Sequence, residues 1–258
     1  MRAAAFAALI LGFASPAHAE RYILDYRGEA FGVAPLGAAT LDAEIGDAEY
    51  RAASTLRSGG LLALFERTTL SALAEGSLIS GEVRAGRYDL NHFYSRKHRT
   101  ITLQWSNGGV QSAIAPTYRL WGDPPATEAQ RNAARDPLST LLAMGVDVAR
   151  TRRCAGAYPT FDGRFYYRMT LSGGRTTEFD SGGFDGRAVR CTLRYEPVSG
   201  FESDDGGRRM HVRRGEIWFG LVSDAFAPPV RITVPLPVGS ASIELVRWRR
   251  ASVDVQAQ

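Results

Sequence analysis

The chain has 258 residues, 45% of them hydrophobic and 22% charged, with a formal net charge of +4. This balance is that of an ordinary globular protein and excludes a low-complexity, collagen-like or intrinsically disordered chain. The basic excess is almost entirely arginine, since Lys97 is the single lysine, and it is interleaved with Asp and Glu rather than clustered. Scattered charge of this kind argues against a nucleic-acid surface and leaves only a weak attraction to anionic envelope lipid.

In chain order, the first segment is "MRAAAFAALILGFASPAHA". Arg2, the apolar run from Ala3 to Ala14 and the Ala17-His18-Ala19 ending have the three-part pattern of a signal peptide cleaved after Ala19. The apolar run is too short to span about 30 Å of hydrocarbon. No cysteine follows the cleavage site, and no later stretch is a membrane-helix candidate, so residues 20–258 are expected to be one soluble, mostly-β periplasmic domain.

Short alternating segments punctuated by glycine then recur. Tyr22, Leu24 and Tyr26 share one face of a first strand. Leu36–Ile45 and Tyr50–Leu56 form two more, separated by Gly46-Asp47 and closed by Ser58-Gly59-Gly60. "RTITLQW" alternates Ile101, Leu103 and Trp105 with polar residues, and Asn107-Gly108-Gly109 signals a hairpin because Asn and Gly accept positive φ.

One helix interrupts the strands. "DPLSTLLAMG" offers Asp136 as N-cap, Pro137 at the first helical position and Gly145 as the stop. Leu138, Leu141 and Leu142 form its apolar stripe, which packs on the concave face of a curved sheet or plugs a barrel end. The preceding "PPATEAQRNAAR" reads as a short helix or a loop.

Beyond the helix, "RFYYRMTL" places Phe165, Tyr167, Met169 and Leu171 on one face, and Ser172-Gly173-Gly174 predicts another reversal. In "AVRCTLRY", Val189, Cys191, Leu193 and Tyr195 share the buried face. The stretch from Gly200 to Glu216 reads as a solvated connection, and Val230, Ile232 and Val234 lead to Pro235, which suggests an edge strand or a strand end. "SIELVRWRR" is a last strand. The spacing predicts a large curved antiparallel sheet, or an open or closed β-barrel, with one packed amphipathic helix.

In an oxidising compartment two cysteines most simply pair, so Cys154 and Cys191 are expected to form a structural disulfide across 37 residues. A metal pair would need His or carboxylate ligands nearby, and a redox pair would sit closer in sequence. Chemistry is otherwise sparse. His92 and His98, six apart in one strand, would lie about 20 Å apart, too far to share an ion, so no metal and no cofactor is expected. Asp180 and Asp185 flank "SGGF" and could meet as an acid/base pair, although a turn aspartate explains each as well. "YDLNHFYSRKHR" interleaves aromatic and cationic residues, as a contact for sugar or headgroup or as the basic outer face of a strand. No nucleophile, base and orienting group can be assigned together, so no catalytic residue is named.

Four motifs carry a family resemblance: "DPLSTLL" at 136–142, "TFDGRFYYRMTL" at 160–171, "CTLRYEPVSGF" at 191–201 and "PVRITVPLPVGSASIEL" at 229–245. With "YRGEAFGVAPLGAATLDAEIGDAEYRAASTLRSGG" they cover nearly all of the chain after Ala19. The chain resembles the exported bacterial domain-of-unknown-function 3108 family in its alphaproteobacterial form. The resemblance implies a periplasmic protein with a large antiparallel sheet, similar in architecture to the open barrels that shuttle lipoproteins or lipids. It supplies no catalytic residue. The reading is therefore a non-enzymatic binding or envelope-maintenance protein with an apolar, lipid-type ligand, lined by Phe165, Tyr167, Met169, Leu138, Leu141 and Leu142. The alternatives are an envelope-polymer hydrolase using carboxylates and an outer-membrane-associated β-barrel.

Overall fold

The computed structural model describes residues 18–60, 63, 67–202 and 214–254. Most of the segment expected to be a signal peptide, up to residue 17, and most of the Gly200–Glu216 connection lie outside the described residues. Among the described residues, thirteen strands and two named helices follow one another in a simple order. The first seven strands are β1 (His18–Ala30), β2 (Ala34–Ile45), β3 (Glu49–Ser58), β4 (Thr68–Ile79), β5 (Glu82–Tyr94), β6 (Lys97–Ser106) and β7 (Gly109–Ala115). Helices α1 (Glu128–Ala133) and α2 (Pro137–Thr151) follow. The chain returns through β8 (Gly156–Phe161), β9 (Tyr166–Asp180), β10 (Asp185–Ser199), β11 (Arg214–Gly220), β12 (Pro229–Pro235) and β13 (Ser240–Asp254).

All strands join one antiparallel sheet in the order β7-β6-β5-β4-β3-β2-β1-β13-β12-β11-β10-β9-β8. Each strand pairs with its chain neighbour, and the β1–β13 ladder joins the first strand to the last. The free edges are therefore the two strands that flank the helices. Exposed edges invite aberrant pairing, and here the helical segment covers both. Asn132 of α1 accepts a hydrogen bond from the Val110 N–H of β7 at 2.9 Å. Arg135 pairs with β8, donating to the Pro159 carbonyl at 3.0 Å and accepting from Phe161 N at 2.8 Å.

The sheet curls around α2, which contacts β3, β4, β5 and β8. Leu142, Met144, Val146, Val148 and Ala149 are buried on nearly every side of the helix. A helix apolar all round is a core helix, so the interior is filled along most of its length. Inward residues alternate along the strands as expected, with Tyr22, Leu24, Leu103, Cys191 and Ile217 fully enclosed.

The helix begins as its sequence predicts. Asp136 caps it, accepting from Leu138 N at 3.0 Å and Ser139 N at 2.8 Å. It does not stop at Gly145, however, and continues to Thr151 before Arg152 turns left-handed at φ 57°. Gly145 serves close packing instead. A Cβ there would lie 2.3 Å from a ring carbon of buried Phe226 and 2.7 Å from the Ala227 carbonyl.

The predicted reversal at Ser172-Gly173-Gly174 is likewise absent, because β9 runs straight through it. Arg175 pairs with Arg190 and Ser172 with Thr192, so two glycines oppose the single Cys191 in a β-bulge. The bulge accommodates the sulfur bridge: Cys154 and Cys191 are bonded with their Cα atoms 5.5 Å apart. A Cβ on Gly174 would meet Cys154 Sγ at 3.1 Å, at a φ of +114° that already disfavours any side chain. The disulfide ties the end of α2 to β10, the half of the sheet the helix touches least.

Two smaller corrections follow from register. His92 and His98 sit on different strands, across a hairpin in which Phe93 pairs with His98 and His92 with Arg99. Their spacing along one strand is therefore not the relevant distance. Strand β12 lies between β11 and β13, so Pro235 marks a strand end rather than an edge.

Candidate ligand site

Past the bulge, the inner faces of β9 and β10 carry Leu171 opposite Leu193, Met169 opposite Tyr195, and Tyr167 opposite Pro197. The rings of Tyr167 and Tyr195 lie 5.0 Å apart. Across the interior, β5 contributes Tyr88, which is only 4% exposed. Tyr118, just beyond β7, closes the same end. Its ring lies 4.0 Å from the Arg99 guanidinium, 5.3 Å from that of Arg164 and edge-on to Trp121.

These phenols surround one half-buried carboxylate. Asp162, in the β8–β9 turn, accepts from Arg164 N at 2.9 Å and Phe165 N at 2.8 Å, and burial raises its pKa. Burial first, and the Asp162 charge as a further cause, raise the pKa of Tyr88, Tyr118 and Tyr167. The same two causes push Tyr195 up to about 12. All four therefore remain neutral hydrogen-bond donors. The hydroxyls of Tyr88, Tyr167 and Tyr195 make no hydrogen bond to any described residue. The other inward phenols differ: Tyr26 donates to the Pro229 carbonyl at 2.9 Å and Tyr50 meets Ser139 Oγ at 2.6 Å. None of these three hydroxyls is both fully enclosed and unpaired, so each opens onto space that a water or a ligand oxygen can reach.

Of the residues singled out from sequence, Tyr167 and Met169 come together on this inner face. Phe165 does not join them: it precedes β9 and stacks on Phe201 at 4.6 Å. Leu138 and Leu142 are buried on α2, and Leu141 is half-buried. Tyr88, Tyr195, Tyr118 and Asp162 complete the cluster without having been foreseen as lining residues. The alternation of "RYDLN" and "RCTLRY" points Tyr88 and Tyr195 inward, but only the curl of the sheet brings β5 to face β9 and β10.

The other candidates read as structure. Asp136 is fully buried and pushed up to about 6 by desolvation, which its hydrogen bonds from Ser139 and Leu138 oppose. Ser139 also donates to its second oxygen, completing a satisfied helix cap. Asp180 and Asp185 face each other at the β9–β10 hairpin, both exposed, and Asp180 accepts from Gly182 N at 3.0 Å as a turn aspartate does. Among the described residues no three His, Cys, Asp or Glu side chains group as metal ligands. No helix among them is long and apolar enough to cross a membrane. The outward faces carry ion pairs such as Arg21–Asp42, Arg87–Asp89, Arg168–Glu196 and Arg231–Glu244, whereas a spanning barrel presents an apolar outward band.

An antiparallel sheet curled around one helix, with a disulfide and an aromatic interior end, defines a β-barrel-like protein. Residues 21–246 match the model of the family described as a protein of unknown function, DUF3108, and the chain belongs to that family. Among solved structures, it is similar to the β-barrel-like protein of domain of unknown function DUF1849 from Brucella abortus, with a TM-score of 0.53 at 10% identity. That match covers 92% of this chain and 98% of the other. A lipoprotein candidate from Parabacteroides distasonis ATCC 8503 matches at a TM-score of 0.31 and 9% identity, over 89% and 95% of the two chains. No curated protein matches the sequence.

Proposed function

We propose that this protein is a non-enzymatic binding protein of the cell envelope, exported by its N-terminal segment, that holds an amphipathic, lipid-type ligand in the phenol-lined end of the curled sheet. The observation that carries this reading is the set of three inward phenols, on Tyr88, Tyr167 and Tyr195, without a partner among the described residues. Met169, opposite Tyr195, supplies apolar surface beside them, and the neutral hydroxyls supply donors for ester, carboxyl or phosphate oxygens. Removing two of these hydroxyls should then weaken binding without unfolding the sheet.

Native mass measurement after gentle extraction tests the proposal. The wild-type protein should carry an amphiphile of defined mass, and Tyr167→Phe with Tyr195→Phe should lose most of it while melting normally. Protein that is bare under every extraction condition, and that takes up no added amphiphile, would overturn it.

A further inference from the structure

The bulge that makes room for the disulfide also shapes the outer face of the sheet. Two adjoining hollows of about 400 and 340 Å³ lie there. The first is bordered by Gly173, Gly174, Arg175, Arg190, Thr192 and Glu216, and the second by Ser172, Thr192, Arg194 and Arg214. Four guanidinium groups thus meet one carboxylate. Glu216 accepts from Arg190 Nε at 3.1 Å, while Arg175, Arg194 and Arg214 have no carboxylate partner among the described residues.

Register makes the arrangement unusual. Arg175 stands directly opposite Arg190, and Arg194 directly opposite Arg214. Like charges paired across strands destabilise a sheet, and elsewhere on this surface arginines face acids, as Arg231 faces Glu244 and Arg21 meets Asp42. Between the paired arginines stand the hydroxyls of Ser172 and Thr192. Guanidinium forks bind phosphate oxygens bidentately, and hydroxyls add neutral donors.

We infer that this groove is a binding site for a phosphate-bearing ligand, either a free oxyanion or the headgroup of an anionic lipid. It rests on the outer face of β9–β11 and is independent of the ligand assigned to the interior. Arg194 and Arg214 clamp the phosphate, Thr192 and Ser172 donate to it, and Glu216 holds Arg190 in place while limiting the total positive charge. The two hollows share Thr192, so a ligand with two phosphoryl groups fits better than one.

Titration calorimetry at low salt with pyrophosphate and with inorganic phosphate, and sedimentation with phosphatidylcholine vesicles with or without phosphatidylglycerol, test the site. The protein is the one purified after expression of the full chain. Binding of pyrophosphate assigns a free oxyanion; binding only to phosphatidylglycerol vesicles assigns a headgroup. In either case Arg194→Ala with Arg214→Ala should weaken it roughly tenfold or more, and Glu216→Gln should tighten it several-fold. Arg247→Ala, which removes an exposed partner of Asp25 on β13, should leave it unchanged. The double variant should melt no lower than wild type, since a like-charge pair is relieved. Failure to bind pyrophosphate or either vesicle, equal binding by the double variant, or an equal loss in Arg247→Ala would overturn the inference.

Discussion

Gly145→Ala is the sharpest test of how α2 sits inside the sheet. In an exposed helix interior this change stabilises by about 1 kcal/mol, because alanine has the better helix propensity. Here the new methyl would strike the Phe226 ring, which is fully buried and edge-on to Tyr22 at 5.2 Å, and would lie 2.7 Å from the Ala227 carbonyl. The backbone cannot easily yield, since Ala227 N donates to the Gly145 carbonyl at 3.1 Å. Overpacking of this kind costs about 1–3 kcal/mol, so the net effect is a destabilisation of up to about 2 kcal/mol. Urea denaturation followed by far-ultraviolet dichroism measures it. Phe226→Leu, harmful alone, should be better tolerated in the Gly145→Ala background, with a coupling of about 1 kcal/mol or more. A Gly145→Ala protein more stable than wild type would refute the packing of α2 against Phe226.

Three further outcomes are expected. Replacing Cys154 and Cys191 together by alanine should lower stability by about 4 kcal/mol, the loop-entropy value for a 37-residue separation, and reductant should shift the wild-type denaturation midpoint to match. The Asp136 carboxyl, raised in the folded protein to about 6, contributes most stability below its ordinary pKa and loses that contribution as pH rises through about 6. Asp136→Asn, which keeps the cap, should therefore flatten the stability profile between about pH 4 and 6, by up to about 3 kcal/mol, while Asp136→Ala should lose about 1 kcal/mol of capping throughout. Asp180→Asn with Asp185→Asn should change stability by less than about 0.5 kcal/mol and leave ligand binding intact, as exposed turn residues do; a large loss of binding would return the hairpin to the list of functional sites.

Much of the fold is legible from local pattern. Tyr22-Leu24-Tyr26, Ile101-Leu103 and Cys191-Leu193 alternate because a half-buried strand has a period of two, and Asp136-Pro137 announces a helix start by capping chemistry alone. What sequence misreads is glycine whose role is set by distant partners. Gly145 has the look of a stop, yet it answers to Phe226, more than seventy positions further on. Gly173 and Gly174 have the look of a turn, yet they form a bulge in which Gly174 answers to the sulfur of Cys154. Both errors arise because positive φ and the missing Cβ serve close approach as well as reversal. The aromatic end of the interior is half legible for a related reason. Tyr167 and Met169 follow from the alternation of one strand, but Tyr88, Tyr118 and Asp162 come from segments that meet only when the sheet curls. Phe165 fails because β9 begins one residue later, at Tyr166.

The central claim is that the phenols of Tyr88, Tyr167 and Tyr195 meet a bound amphiphile inside the sheet. The most direct measurement is nuclear magnetic resonance of ring-labelled tyrosine while lysophosphatidylglycerol is titrated into the delipidated protein. The account predicts that the resonances of those three residues move together and saturate, while Tyr26 and Tyr50, already bonded within the core, stay in place. Stationary resonances for all three, or equal movement of Tyr26 and Tyr50, would contradict it.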